Sequence, residues 1–184
     1  HMEYLGDTRE AIGFEKAHIF RAGRPAICAD AGPPATVTEY AARIDADLML
    51  IGRDFSYQAQ PQQWSYRGPG GDRHSLPLPA LRGTFQLANA SACIAALDAL
   101  RGRLPITAGN IRDGLVRVEN PGRFQALPGR PTMILDVAHN PHAARSLAQN
   151  LASLPPCPRT LAVFAMLRDK DMAGVAAALD PIID

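Results

Sequence analysis

The chain has 184 residues, 47% of them hydrophobic and 20% charged, and its 19 Lys and Arg against 18 Asp and Glu leave a formal net charge of +1. That balance fits one globular domain or two small ones, and a charge so near zero offers no electrostatic footprint for nucleic acid. SACIAALDAL and VAAALDPII, the longest apolar stretches, are broken by Asp or too short to span a bilayer, so no membrane partner is expected. Cys28, Cys93 and Cys157 are odd in number and lie in no metal-ligand spacing, which argues against a disulfide framework or a zinc site and fits a reducing cytoplasm.

In chain order, Asp7 and Glu10 have the spacing of a capping box, and a helix is predicted from about Thr8 to Phe20. PAICAD reads as a short strand, ATVTEYAARIDA as a helix and LMLIGRDF as a second buried strand, an alternation that signals an α/β layer structure. From Ser56 to Pro79 the sequence turns polar and rich in Pro and Gly, with alternation at Trp64, Tyr66, Leu76 and Leu78. This predicts an antiparallel hairpin about GPGGD at the sheet edge. A long helix over GTFQLANASACIAALDALRG and a shorter one over TAGNIRDGLVRV, capped at Thr107, follow.

Glu119 to Pro131 concentrates Pro and Gly between periodic elements and is expected to be a domain boundary or hinge. Beyond it TMILDVA reads as a strand, PHAARSLAQNLASL as a helix, RTLAVFAML as a strand and DMAGVAAALDPII as a helix, the start of a doubly wound unit. Both ends read as cut, as if the chain were part of something longer.

The chemistry-bearing residues concentrate in LDVAHNPHAA. Asn140 is a good N-cap and Pro141 suits a first helical turn, which explains both structurally. Asp136 and His139 are not explained that way. They fall at the carboxyl end of a predicted parallel strand, where open α/β sheets place their ligands, and where an Asp can meet a ribose and a His can meet a phosphate or an acyl phosphate.

Read together, HMEYLG, EKAHIF, FQLANASA, PGRFQ, LDVAHNPHAA and MLRDKD occur in the order and approximate spacing of one family. The combination resembles the folylpolyglutamate synthase and dihydrofolate synthase branch of the Mur ligase family. The resemblance implies an α/β fold in two parts: residues 1–120 as the end of a central ATP-binding domain, and 121–184 as the start of a Rossmann-like glutamate ligase domain. It also implies an ATP- and Mg2+-dependent ligase that activates a pteroate or folate carboxylate as an acyl phosphate and lets the amine of L-glutamate attack it. The expected partners are these small molecules, and a cytoplasmic monomer is expected.

The resemblance also implies roles for particular residues. Lys16 matches a lysine whose carbamylation turns an ammonium into a carboxylate able to help hold Mg2+, although His18 stands where the family usually has Gly. His1 matches a metal-binding His, and an opening His-Met is also what a cloning scar leaves. Asn89 matches an Asn of the ATP site, Arg123 a nucleotide-binding Arg at the hinge, and Asp136 a nucleotide-contacting Asp. His139 matches a residue near the reacting phosphate and glutamate. Asp169, Lys170 and Asp171 recur in the family, yet as a helix-opening charge cluster they are explained equally well by capping.

No GxxxxGK[ST] phosphate loop occurs in the sequence, and GPGGD lacks the Lys such a loop requires, so this chain by itself is expected to be inactive. A cell-wall amino-acid ligase of the same family is the alternative within it, although PGRFQ with DVAHNPHAA favours the folate branch. Outside the family the alternative is a non-catalytic nucleotide-binding module.

Overall fold

The computed structural model describes residues 6–83 and 85–184, so His1 lies outside the described residues. The chain forms two compact units, one running to Leu78 and resuming over Leu87–Val116, the other made of Pro79–Gln86 and Arg117–Asp184.

In the first unit α1 spans Arg9–Ala17. Its cap is Thr8, whose hydroxyl accepts from the N–H of Ala11, rather than Asp7 in a capping box. Glu10 turns instead to the next helix, accepting from the N–H of Thr36 at 3.1 Å, a bond that holds its carboxyl below the ordinary value. The helix stops three residues short of the predicted Phe20. β1 (Pro25–Cys28), α2 (Ala35–Arg43) and β2 (Asp47–Leu50) then form a parallel βαβ unit, with Pro25 opposite Asp47 and Cys28 opposite Leu50.

The second predicted strand ends at Leu50 rather than at Phe55. Gly52 adopts φ 85°, and the Asp54 carboxylate accepts from the N–H of Leu50 at 2.7 Å, which turns the chain. The turn releases a strand that periodicity did not separate, β3 (Ser56–Ala59). It pairs antiparallel with β4 (Gln63–Arg67), which pairs with β5 (Arg73–Pro77) across the predicted GPGGD turn. α3 (Gln86–Ala99) and α4 (Ala108–Arg117) complete the unit, and Thr107 caps α4 reciprocally with Asn110.

Alternation along β4 sends Trp64 and Tyr66 to one face, where they pack with Met49, Phe55, Leu76, Ile94, Ala95, Ile111 and Leu115 into the main core. Each buried polar group there has a partner. Trp64 Nε1 donates to the carbonyl of Pro77 at 2.9 Å, and the Ser91 hydroxyl donates to the carbonyl of Leu87 at 2.7 Å. The Arg73 guanidinium grips the carboxylate of Asp98 with two bonds, beneath the ring and hydroxyl of Tyr66.

In the second unit β6 (Gln125–Leu127) and β7 (Met133–Leu135) form an antiparallel pair, so the Pro- and Gly-rich stretch contains a strand, and TMILDVA, predicted as a parallel strand, pairs antiparallel with it because the two are joined by a short connection. α5 (Pro141–Ala152) and α6 (Met172–Leu179) pack through Ala144, Val175 and Leu179. The strand predicted over RTLAVFAML is not part of any ladder. A strand requires a second row of backbone donors and acceptors, whereas Thr160 exchanges its bonds with Asp184. Leu161, Val163, Phe164 and Leu167 are exposed. Among the described residues no helix is long and apolar enough to cross a membrane.

Two outcomes follow from the buried pair. Asp98→Ala strands the Arg73 charge and is expected to cost about 3–5 kcal/mol in urea unfolding. Arg67→Ala removes only an exposed pair with Asp72 and is expected to cost less than about 1 kcal/mol. Burial, and then the charge of Asp98, pushes the Tyr66 hydroxyl up to about 12. Its contribution to stability is therefore complete below about 10, the ordinary tyrosine value, and is lost as pH rises through the folded value. Phenolate absorbance during an alkaline titration of the folded chain should show one late tyrosine, and Tyr66→Phe should remove it.

Candidate functional site

In the second unit Asn120-Pro121-Gly122-Arg123 forms a tight turn, closed by the Arg123 N–H donating to the carbonyl of Asn120 at 3.1 Å. Pro at its second position and Gly122 at its third, with φ 74°, are the residues that a type II turn requires. Gly122 is needed for space as well, because a Cβ there would stand 2.8 Å from the Val137 side chain. Its N–H donates to the Gln125 side chain at 3.0 Å and its carbonyl accepts from the N–H of Val137 at 2.8 Å.

The next residue, Phe124, is buried with φ 47°, a left-handed conformation that a bulky residue adopts only when its surroundings impose it. Its N–H donates to Oδ2 of Asp136 at 2.8 Å, and Oδ1 of the same carboxylate accepts from the N–H of Ala138 at 2.8 Å. One side chain at the exit of β7 thus fastens both the turn before β6 and its own loop.

The loop ends at His139, whose Nδ1 lies 3.0 Å from the carbonyl of Val137. Because a carbonyl only accepts, this bond places a proton on Nδ1, and in the neutral ring the lone pair then belongs to Nε2. Asn140 caps α5 by accepting from the N–H of Ala143 at 2.9 Å, and Pro141 opens the helix. The second unit therefore brings Arg123, Asp136 and His139 onto one fastened pair of loops at a helix N-terminus, the positive end of the helix dipole. Arg123 and His139 are exposed.

In the first unit Lys16 stands in the last turn of α1 and is exposed. It lines a cleft of about 410 Å³ with Arg9, Phe20 and, from the carboxyl end of β1, Cys28, Ala29 and Asp30. Arg9 donates to Asp30 at 2.6 Å and to the carbonyl of Gly32 at 2.9 Å, which pins the loop after the strand. His18 is accommodated without strain: φ is −63°, its ring packs against Phe14 and Tyr40, and Nδ1 lies 2.8 Å from the carbonyl of Phe14. Asn89 is exposed in the first turn of α3.

Among the described residues no three His, Cys, Asp or Glu side chains cluster closely enough to hold a metal ion. A carbamylated Lys16 would add one anionic ligand rather than a complete set. Asp171 caps α6 through the N–H of Gly174 at 2.8 Å, as the capping explanation of RDKD expects.

Two features went unnoticed in the sequence. Gly122 was signalled by its place in NPGR, whereas the bond from Phe124 to Asp136 joins residues 12 apart and had no local signal.

Residues 122–184 match the family described as Mur ligase, glutamate ligase domain. The dihydrofolate synthase/folylpolyglutamate synthase of Escherichia coli K12 is 40% identical over 184 residues, which is all of this chain and 42% of that protein. The structure titled E. coli FolC in complex with DHPP and ADP superposes with a TM-score of 0.91 at 40% identity, covering 100% of this chain and 43% of the other. A Yersinia pestis bifunctional folylpolyglutamate synthase/dihydrofolate synthase complexed with AMPPNP and Mn gives a TM-score of 0.85 at 37% identity, with the same coverage. The chain thus spans less than half the length of these relatives. Over its own full length, in sequence and in fold, it is similar to proteins named dihydrofolate synthase/folylpolyglutamate synthase, and over residues 122–184 it matches the glutamate ligase domain of Mur ligases.

Proposed function

We propose that this chain is part of an ATP- and Mg2+-dependent ligase that joins L-glutamate to dihydropteroate or folate in the cytoplasm. Residues 1–120 belong to its central domain and 121–184 to its glutamate ligase domain. The observation that carries the reading is the fastened pair of loops bearing Arg123 and His139 in front of the N-terminus of α5. Relatives with this fold have been solved with ADP, AMPPNP and Mn, which supports a nucleotide and a divalent cation here.

The reaction needs two kinds of help. The pteroate or folate carboxylate takes the terminal phosphoryl group of ATP, ADP leaves, the amine of glutamate attacks the acyl carbon, and phosphate departs as the amide forms. Negative charge gathers on phosphate oxygens and on the tetrahedral oxyanion, and the attacking ammonium must first lose a proton. Arg123 offers a planar fork of donors to phosphate oxygens, and the positive end of the α5 dipole favours the same charge. His139 brings an imidazole, a group that can hold the amine's proton, to the same loops. Asn89, in the first unit, offers a neutral amide to a nucleotide.

A carbamylated Lys16 would serve as one ligand of Mg2+, whose chemistry is to offset phosphate charge. The carbamate forms when the neutral amine adds to carbon dioxide and loses a proton. Arg9, sharing the cleft, favours the resulting negative charge.

Glutamate-dependent ADP release by the full ligase that carries this segment tests the reading. Lys16→Ala and His139→Ala are each expected to lower the rate by about a hundredfold or more, and the isolated 184-residue chain is expected to release no ADP. Wild-type rates in both variants would contradict the assignments and favour a non-catalytic nucleotide-binding module.

A further inference from the structure

We infer that Asp136 is a positioning residue that acts on the nucleotide through Arg123, an inference that rests on the nucleotide site proposed above. Both carboxylate oxygens are engaged by backbone N–H groups, Oδ2 by Phe124 and Oδ1 by Ala138, each at 2.8 Å. Phe124 directly follows Arg123, and its φ of 47° is a conformation that the free chain avoids. A bond from a charged acceptor to the N–H of that residue is the kind of restraint that holds such a conformation.

The bond acts on Arg123 because Arg123 is enclosed by constraints on either side. Before it the turn closes on Asn120, with Gly122 bonded to Val137; after it Phe124 is held by Asp136. Its Cα is thus registered against the loop at Val137–His139, so the guanidinium stem and the imidazole start from one frame. Asp136 also receives the N–H of Ala138, next to His139, which completes the frame from the other side. A carboxylate has about four lone-pair positions, so the brace leaves room for a ribose hydroxyl. The brace, rather than that contact, is what the geometry assigns to Asp136.

Asp136→Asn is the informative change, because its amide keeps one acceptor and presents an N–H2 to the second backbone donor. In the full ligase it is expected to raise the KM for ATP by about tenfold with the fold retained, as read by circular dichroism. Arg123→Ala is expected to raise KM at least as much, and the double variant no further than Arg123→Ala alone, since a positioning effect disappears with the group positioned. A double-variant KM equal to the product of the two single effects, or a wild-type KM in Asp136→Asn, would overturn the inference.

Arg123→Ala with unchanged KM would instead overturn the nucleotide role of Arg123, and with it the route through Arg123 inferred here. Amide hydrogen exchange in the chain itself decides on the brace separately and needs no folded variant. Slow exchange at Phe124 and Ala138 supports it, and exchange at the rate of an unstructured peptide at both overturns it.

Discussion

Where a chain leaves a strand or enters a helix, its peptide N–H groups lose their regular partners and must find others. In this protein short acidic and polar side chains supply the acceptors, and the loops take their shapes from them. The carboxylate of Asp136 has the most consequence of these, because its two bonds join segments separated in sequence. Asp54 at the exit of β2, Asp30 after β1, Thr8, Asn140 and Asp171 do the same work locally. Asp136 alone among them bridges the turn that carries a candidate phosphate-binding arginine and the loop that carries a candidate proton acceptor.

This arrangement connects fold to chemistry in the second unit. A two-stranded antiparallel pair is a weak platform by itself, and the apolar cluster between α5 and α6 is small, with Ala144, Val175 and Leu179 as its buried side chains among the described residues. Hydrogen bonds at the strand exit therefore carry much of the definition that packing provides elsewhere. The first unit shows the converse. There Trp64, Tyr66 and Phe55 anchor a substantial core, and the buried Arg73–Asp98 pair is satisfied on both sides. Lys16 stands outside that core, exposed in the cleft beside the carboxyl end of β1.

Much of this was legible in the sequence because it depends on local chemistry. Helical patterning located α2, α3, α4 and α5, Thr107 and Asn140 announced the caps of α4 and α5, and the GPGGD turn gave the β4–β5 hairpin. The misses have physical causes. β3 has no signal of its own within the polar Ser56–Pro79 stretch, because SYQA offers little apolar alternation and the turn before it, at Gly52 and Asp54, is made by a side chain reaching back four residues. β6 was hidden among Pro and Gly because three residues carry too little alternation. RTLAVFAML has the composition of a strand, but composition cannot supply a partner row of hydrogen bonds. The Asp7–Glu10 spacing misled because Glu10 found a better donor on α2. As for the site, LDVAHNP and PGRFQ marked the right residues, while their linkage through Asp136 depended on a contact that only the folded chain creates.

The central claim is that one carboxylate holds both loops together, and scalar coupling across hydrogen bonds reports this most directly. In a 13C,15N-labelled sample of the chain, the account predicts measurable couplings from the side-chain carboxyl carbon of Asp136 to the backbone nitrogens of both Phe124 and Ala138. Coupling to Ala138 with none to Phe124 would show a local loop motif that leaves Arg123 unregistered, and would contradict the account.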